Sequence, residues 1–303
     1  MMTDINSIQI NFDENQVLLL NICLGFLMFG VALDLKLSDF SYVLTNKKAV
    51  LSGLISQWIL LPILTVLLVW VFQPVHSIAL GMILIAACPG GNVSNYAVHL
   101  SGANVALSVV LTMISTIFCA LSTPFIFAQL RKLIPEGHVG DILFDISFIN
   151  MISTIVQLIL VPLILGYICV TFFPKLVDRI KGLVKKLSLL IFIGFVVAAV
   201  AGNLDNLKNY IGLVFFIVLI HNGLALAVGY FFSSSIMKLP SDDAKAISIE
   251  TGIQNSGLAL ILIFNFFDGM GGMALIAAWW SVWHLISSLA LAIWWKGRNK
   301  AIS

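Results

Sequence analysis

The sequence predicts an all-α polytopic membrane protein with nine transmembrane helices. Three observations predict it. Of its 303 residues, 60% are hydrophobic and 10% charged, with a mean hydropathy of +1.06; soluble domains carry about 25% charged residues. A window of about 20 residues isolates nine apolar stretches. They lie near 16–33, 49–72, 77–100, 104–129, 147–172, 187–203, 208–233, 243–267 and 272–295. The basic residues gather on alternate connections. With the N-terminus outside, residues 34–48, 173–186, 234–245 and the tail face the cytoplasm. They carry three, five, two and three Lys or Arg, leaving only Arg131, Lys132 and Lys208 elsewhere. The positive-inside rule then expects an integral protein of the inner or plasma membrane, N-terminus outside and C-terminus cytoplasmic.

The first segment, residues 1–16, is polar and acidic, with Asp4, Asp13 and Glu14. It has no basic n-region, so no cleavable signal peptide is expected. Span 2 carries one amide, Gln57, which read alone is a helix–helix hydrogen-bonding group. Trp70 marks its outer end as an interface anchor.

Span 3 is interrupted by Cys88-Pro89-Gly90-Gly91-Asn92-Val93-Ser94-Asn95. Pro89 removes a backbone donor and the two glycines remove side-chain constraint, so the helix should unwind there. Asn92, Ser94 and Asn95 add amide and hydroxyl oxygens. Span 4 follows after a short polar link. It holds Ser108 and Thr112, four apart and so on one helical face. Either alone reads as helix–helix glue. In span 7, His221 and Asn222 read as packing groups or pocket lining. His99 sits near a helix end and is expected to be solvated.

Span 8 is interrupted by Glu250-Thr251-Gly252-Ile253-Gln254-Asn255-Ser256-Gly257. A carboxylate at mid-bilayer costs roughly 2.5–3.5 kcal/mol on insertion scales. Opened backbone at that depth must line a cavity or be covered by protein. A broken helix holding an ion and a substrate is the functional reading; a polar kink is the structural one. Span 9 carries His284 and ends at the anchors Trp294 and Trp295. The four cysteines, Cys23, Cys88, Cys119 and Cys169, lie in apolar runs without a C-x-x-C pair, so no disulfide framework or zinc site is expected.

Spans 3 and 8 occupy corresponding places and run in opposite senses. Paired broken helices of this kind point to an inverted-repeat transporter. Hydroxyls, amide oxygens, a carboxylate and freed carbonyls suit a hard cation such as Na⁺; no His or Cys cluster invites a transition metal.

These strings resemble the bile acid:sodium symporter family. The resemblance rests on CPGGNVSN at 88–95, NVALS at 104–108 with Thr112, and E-x-G-x-Q-N-S-G at 250–257. HNG at 221–223 and SVWH at 281–284 add to it. It implies two unwound helices crossing within a core domain, residues 47–140 and 207–303 (spans 2, 3, 4, 7, 8 and 9). A panel domain would comprise residues 1–46 and 141–206 (spans 1, 5 and 6). It implies one sodium site at Ser94, Asn95, Ser108, Thr112 and Glu250. A second would use Gln57, Glu250 and Gln254 with the carbonyls of Thr251 and Ile253. The substrate would lie against Asn92, Ser94, Asn95, Asn255 and His284.

The sequence departs from the family in two places. Thr is common where this chain has Asn92, and His-Asn where it has His284-Leu285. Bacterial relatives commonly carry an extra leading helix; nine spans are expected here, as in animal members.

The expected function is sodium-coupled symport of an organic anion by alternating access. The substrate is bile acid-like by resemblance, or else a small carboxylate such as pantothenate, a pantoate-like acid or a keto acid. No cofactor is expected beyond two Na⁺ as coupling ions. The expected partners are the anion, sodium and the bilayer, with no nucleic acid and no obligate protein partner. An intramembrane enzyme using Glu250 and His284 as acid and base lacks any H-E-x-x-H or G-x-S-x-G string. The chain is therefore read as a non-enzyme.

Overall fold

The computed structural model describes residues 14–33, 42, 45–134, 147–201 and 210–302. The acidic segment through residue 13, Lys36 and Lys208 lie outside them. In chain order the helices are α1 (Glu14–Ala32), α2 (Lys47–Phe72), α3 (His76–Ala87), α4 (Val93–Ser101) and α5 (Val105–Arg131). Next come α6 (Phe148–Phe172), α7 (Pro174–Ala201) and α8 (Ile211–Phe231, continued by a wide turn at Phe232–Ile236). The last are α9 (Ser241–Gly252), α10 (Ser256–Phe266) and α11 (Gly271–Ile302). Among the described residues there is no sheet, only one isolated antiparallel bridge between Gly90 and Gln254.

Among the described residues, five helices are long and apolar enough to cross a membrane: α2, α5, α6, and the stretches Gly212–Ile236 and Gly271–Gly297. Val17–Ala32, α3 and α10 are shorter and apolar. The basic stretch 173–186, expected as a connection, is helical. It forms the start of α7, which opens on Pro174, a residue whose fixed φ suits a first helical turn. Lys181 pairs there with Asp178 at 2.7 Å.

Two helices carry a wide i→i+5 turn in mid-course, at Ser56–Leu60 and Val156–Leu160, each followed by proline at the start of the next segment. Pro62 and Pro162 cannot donate to the preceding turn, and the extra residue absorbs that missing bond. The same string, Q-x-I-L-x-P, spans 57–62 and 157–162. The wide turn in α2 includes Gln57.

Two apolar cores lie on either side of the breaks. One joins α3 (Ile78 to Ala87), α10 (Leu258 to Phe264) and α11 (Met273 to Trp280), with Leu20, Leu24 and Met28 of α1. The other joins Ala97 and Val98 of α4 to Leu107 and Leu111 of α5, Ile247 and Ile249 of α9, and Trp295 of α11. Along both broken helices the chain leaves one core, crosses a polar stretch and enters the other. The polar stretches therefore fall between two hydrophobic layers.

Candidate functional site

The first break separates α3 from α4 and the second separates α9 from α10. Each interruption frees backbone groups, and the two satisfy one another. Gly91 N donates to Ile253 O at 3.0 Å, and Asn255 N donates to Pro89 O at 2.8 Å. Glycine is required at this approach. A Cβ on Gly91 would lie 3.0 Å from Ile253 Cγ2 and 3.1 Å from Gln254 O. Gly90 N is taken up by Ser115 Oγ of α5 at 3.2 Å.

Glu250, at the end of α9, is 1% exposed. Its hydrogen bonds come from hydroxyls, not from Lys or Arg. Ser94 Oγ and Ser108 Oγ both donate to Oε1. Thr112 Oγ1 lies 3.0 Å from each carboxylate oxygen. Ser94 and Thr112 hydroxyls are 3.3 Å apart, and Ser108 Oγ contacts Asn95 Oδ1 at 2.8 Å. Three segments, α4, α5 and α9, thus bring all five residues of one expected set into direct contact. The cluster is rich in oxygen and poor in protons. Three hydroxyl hydrogens face a carboxylate, an amide oxygen and their own lone pairs. That donor set fits a small hard cation.

The second expected set gathers beside it. A Cβ placed on Gly90 would meet Gln57 Nε2 at 2.9 Å and Glu250 Oε2 at 3.0 Å, so those two atoms flank one small space. Both amide atoms of Gln57 and the Oε1 of Gln254 are buried without a hydrogen-bond partner. Gln254 Nε2 donates to Thr251 O at 3.0 Å. Buried polar atoms are normally satisfied, and these three belong to residues of the second expected set.

The expected substrate residues are less tightly joined. Asn255 caps α10 by accepting from Leu258 N at 3.0 Å. Asn92 caps α4 in position only, without a side-chain bond. Ser281 of α11 donates to Ser256 at 2.8 Å, holding α11 against the start of α10 one turn before His284. His284 is buried and its Nδ1 has no protein partner. Asn92 and His284 stand apart from the hydrogen bonds around Glu250. His99 is exposed, in the last turn of α4.

Sequence reasoning missed two contributors, Ser115 and Ser56, and read Asn222 too narrowly. Ser115 follows Ser108 and Thr112 at the next helical repeat, and that i, i+4, i+7 stripe could have revealed it. Ser56 meets the Thr251 hydroxyl at 2.8 Å. Asn222 is a bridge rather than packing: its Nδ2 donates to Gly252 O at 2.7 Å and its Oδ1 accepts from Ser287 Oγ at 2.5 Å. His221 meets Thr65 Oγ1 at 2.8 Å and leaves Nδ1 unpaired. For Asn222, the short H-N-G string was the only sign.

Comparison with known proteins agrees in kind. Residues 21–210 match the Sodium Bile acid symporter family. The uncharacterized sodium-dependent transporter YocS of Bacillus subtilis is 34% identical over 281 residues, 93% of this chain and 84% of that one. The probable chloroplastic sodium/metabolite cotransporter BASS2 of Oryza sativa subsp. japonica is 30% identical over 282 residues, 93% of this chain and 64% of its own length. BASS5 of Arabidopsis thaliana, described likewise, is 32% identical over 288 residues, 91% and 68% of the two chains.

Proposed function

Since the chain belongs to the sodium bile acid symporter family, we propose that it is a secondary active symporter moving an organic anion with Na⁺. One observation carries this: a buried carboxylate, ringed by Ser94, Ser108 and Thr112, beside the unpartnered amides of Gln57 and Gln254. Sodium binds at two sites sharing Glu250. The first uses Ser94, Asn95, Ser108 and Thr112. The second uses Gln57, Gln254 and the carbonyls of Thr251 and Ile253.

The anion lies against Asn92, Ser94, Asn95, Asn255 and His284. The N-termini of α4 and α10 present N–H groups and the positive ends of their dipoles to it. With two Na⁺, one carboxylate and a monoanion, the loaded site sums to zero, the least costly state to hold away from water. Sodium and anion therefore raise each other's affinity by the same factor. Nine spans in two inverted repeats, with a panel sliding against a core, would supply alternating access. The N-terminus lies outside and the C-terminus in the cytoplasm.

The substrate class follows the family name, a bile acid-like anion. A second reading is a small carboxylate such as pantothenate, a pantoate-like acid or a keto acid. It is favoured by Asn92 and Leu285, which depart from the family pattern in the expected pocket, and by relatives named sodium/metabolite cotransporters.

Glu250 stays with the protein, so each cycle carries two sodium charges and one anion charge, a net +1 inward. Current and anion uptake, recorded together in proteoliposomes, test this. The expected result is sodium-dependent uptake with inward positive current, faster at negative interior potential by the drive of about 2.3 kcal/mol per charge per 100 mV. Uptake without current would mean that one Na⁺ accompanies the anion.

A further inference from the structure

Asn104 opens the N-V-A-L-S string at 104–108 but belongs to neither expected ion set nor to the substrate set. It stands just ahead of α5, and each of its polar groups is bonded. Its Oδ1 accepts from Leu107 N at 3.1 Å and so caps the helix. Its backbone O accepts from Ser108 N at 3.2 Å, and its backbone N donates to Asp242 O at 3.3 Å. Its Nδ2 donates twice, to Asp243 Oδ1 at 2.7 Å and to Tyr42 Oη at 2.6 Å. The Asp242 carboxylate pairs instead with Lys245 at 3.3 Å. Tyr42 sits at the turn leading into α2, where its carbonyl accepts from Asn46 N at 2.9 Å. Asparagine combines a capping oxygen with two donors on one short side chain. Aspartate caps but does not donate, and serine caps with a single hydrogen to give.

This knot stands at the start of two helices that lead to Glu250. Asp243 lies in the first turn of α9, as Asn104 lies at the cap of α5. At about 1.5 Å per residue, Ser108 lies roughly 6 Å and Thr112 roughly 12 Å along α5 from Asn104. Glu250 lies about 10.5 Å along α9 from Asp243. Two helices leaving one point side by side therefore bring the carboxylate level with the gap between the two hydroxyls, and both hydroxyls bond to it. A slip of one turn would carry the carboxylate about 5.4 Å past them. On the proposed reading of that cluster as a sodium site, we infer that Asn104 is a positioning residue for it. Through Asp243, Asn104 sets the register of α9 against α5 and so holds Glu250 opposite Ser108 and Thr112. Ligands that are not held in place must be ordered by the ion itself, which weakens its binding. The effect of the knot therefore falls on sodium affinity, two helical turns away.

Sodium titrations of the purified full chain test this, read as the rise in melting temperature with Na⁺ and with K⁺ as control. Asn104→Ser keeps the cap and loses the reach to Asp243. Its sodium midpoint should rise about tenfold over wild type, the scale of one charge-assisted hydrogen bond. Asn104→Asp also keeps the cap but sets two carboxylates against each other, and should raise the midpoint at least as far. Adding Asp243→Asn to Asn104→Asp restores an amide–carboxylate bond with its ends exchanged. That double variant should return to within about threefold of wild type, a rescue that a mere cap of α5 would not show. An unmoved midpoint in Asn104→Ser would overturn the inference, and this variant decides if Asn104→Asp does not fold. So would a double variant no better than Asn104→Asp. A wild type that responds alike to Na⁺ and K⁺ would overturn the sodium reading and the inference with it; a sodium-specific wild type with Asn104→Ser unmoved would overturn the inference alone.

Discussion

The two breaks bond to each other yet are built from opposite materials. The first, Pro89-Gly90-Gly91, contributes backbone: it has no ionisable group, and its cap, Asn92, makes no side-chain bond. The second contributes charge and amides, Glu250 and Gln254, and its cap, Asn255, is anchored to Leu258 N. One supplies the space and the other the carboxylate and the unpartnered amide. The lesson is that neither is a site alone, and that substitutions in the two should fail differently.

The largest effect is expected at the charge. Glu250→Ala should abolish sodium-dependent uptake while the protein remains folded, and Glu250→Gln should be nearly as damaging because it keeps shape and loses charge. Uptake in proteoliposomes, with melting temperature alongside, checks this. Near wild-type uptake would remove Glu250 from the ion site.

The next effect belongs to the space. Gly90→Ala places a Cβ 2.9 Å from Gln57 Nε2 and 3.0 Å from Glu250 Oε2. Apparent sodium affinity should fall by about tenfold, equivalent to about 1.4 kcal/mol, with maximal uptake largely kept. A sodium titration of uptake decides it. Unaltered affinity would mean that the space beside Gly90 takes no ion.

A smaller effect is expected behind the second break. Asn222→Ala frees Gly252 O and Ser287 together, so it should weaken the coupling between sodium and anion more than either affinity alone. Measuring anion binding with and without Na⁺ gives that coupling; an unchanged ratio would leave Asn222 a packing group. The smallest effect is on choice. Asn92→Thr with Leu285→Asn should reorder a panel of anions in a binding screen without altering sodium affinity. A collapse of sodium affinity with the order intact would place these residues at the ions instead.

Much of this contrast is legible in the sequence, because local chemistry produces it. Proline beside two glycines announces unwinding wherever it occurs. Ser108 and Thr112 share a face by helical period alone, and that face meets Glu250. What was hidden depends on partners distant in sequence. Nothing near Pro89 says that its carbonyl pairs with Asn255, and nothing near Asn222 says that it spans from Gly252 to Ser287. Lys245 reads as a charge on a connection, yet tertiary packing buries it. The helical form of the basic stretch before span 6 was hidden for another reason. An amphipathic basic helix that opens on proline looks, to a hydropathy window, like a loop.

The backbone bridge between the breaks has a consequence for biogenesis. During synthesis the α3–α4 segment is made long before α9–α10. Until the later segment arrives, Pro89 O and Gly91 N have no partner, and each unsatisfied backbone group in lipid costs several kcal/mol. The α3–α4 segment is therefore not expected to settle at full depth by itself. It is expected to reach full depth only when the second half completes its hydrogen bonds. A chain arrested before Ser241 should leave a Ser94→Cys thiol open to a water-soluble label, whereas residue 94 is buried in the finished protein.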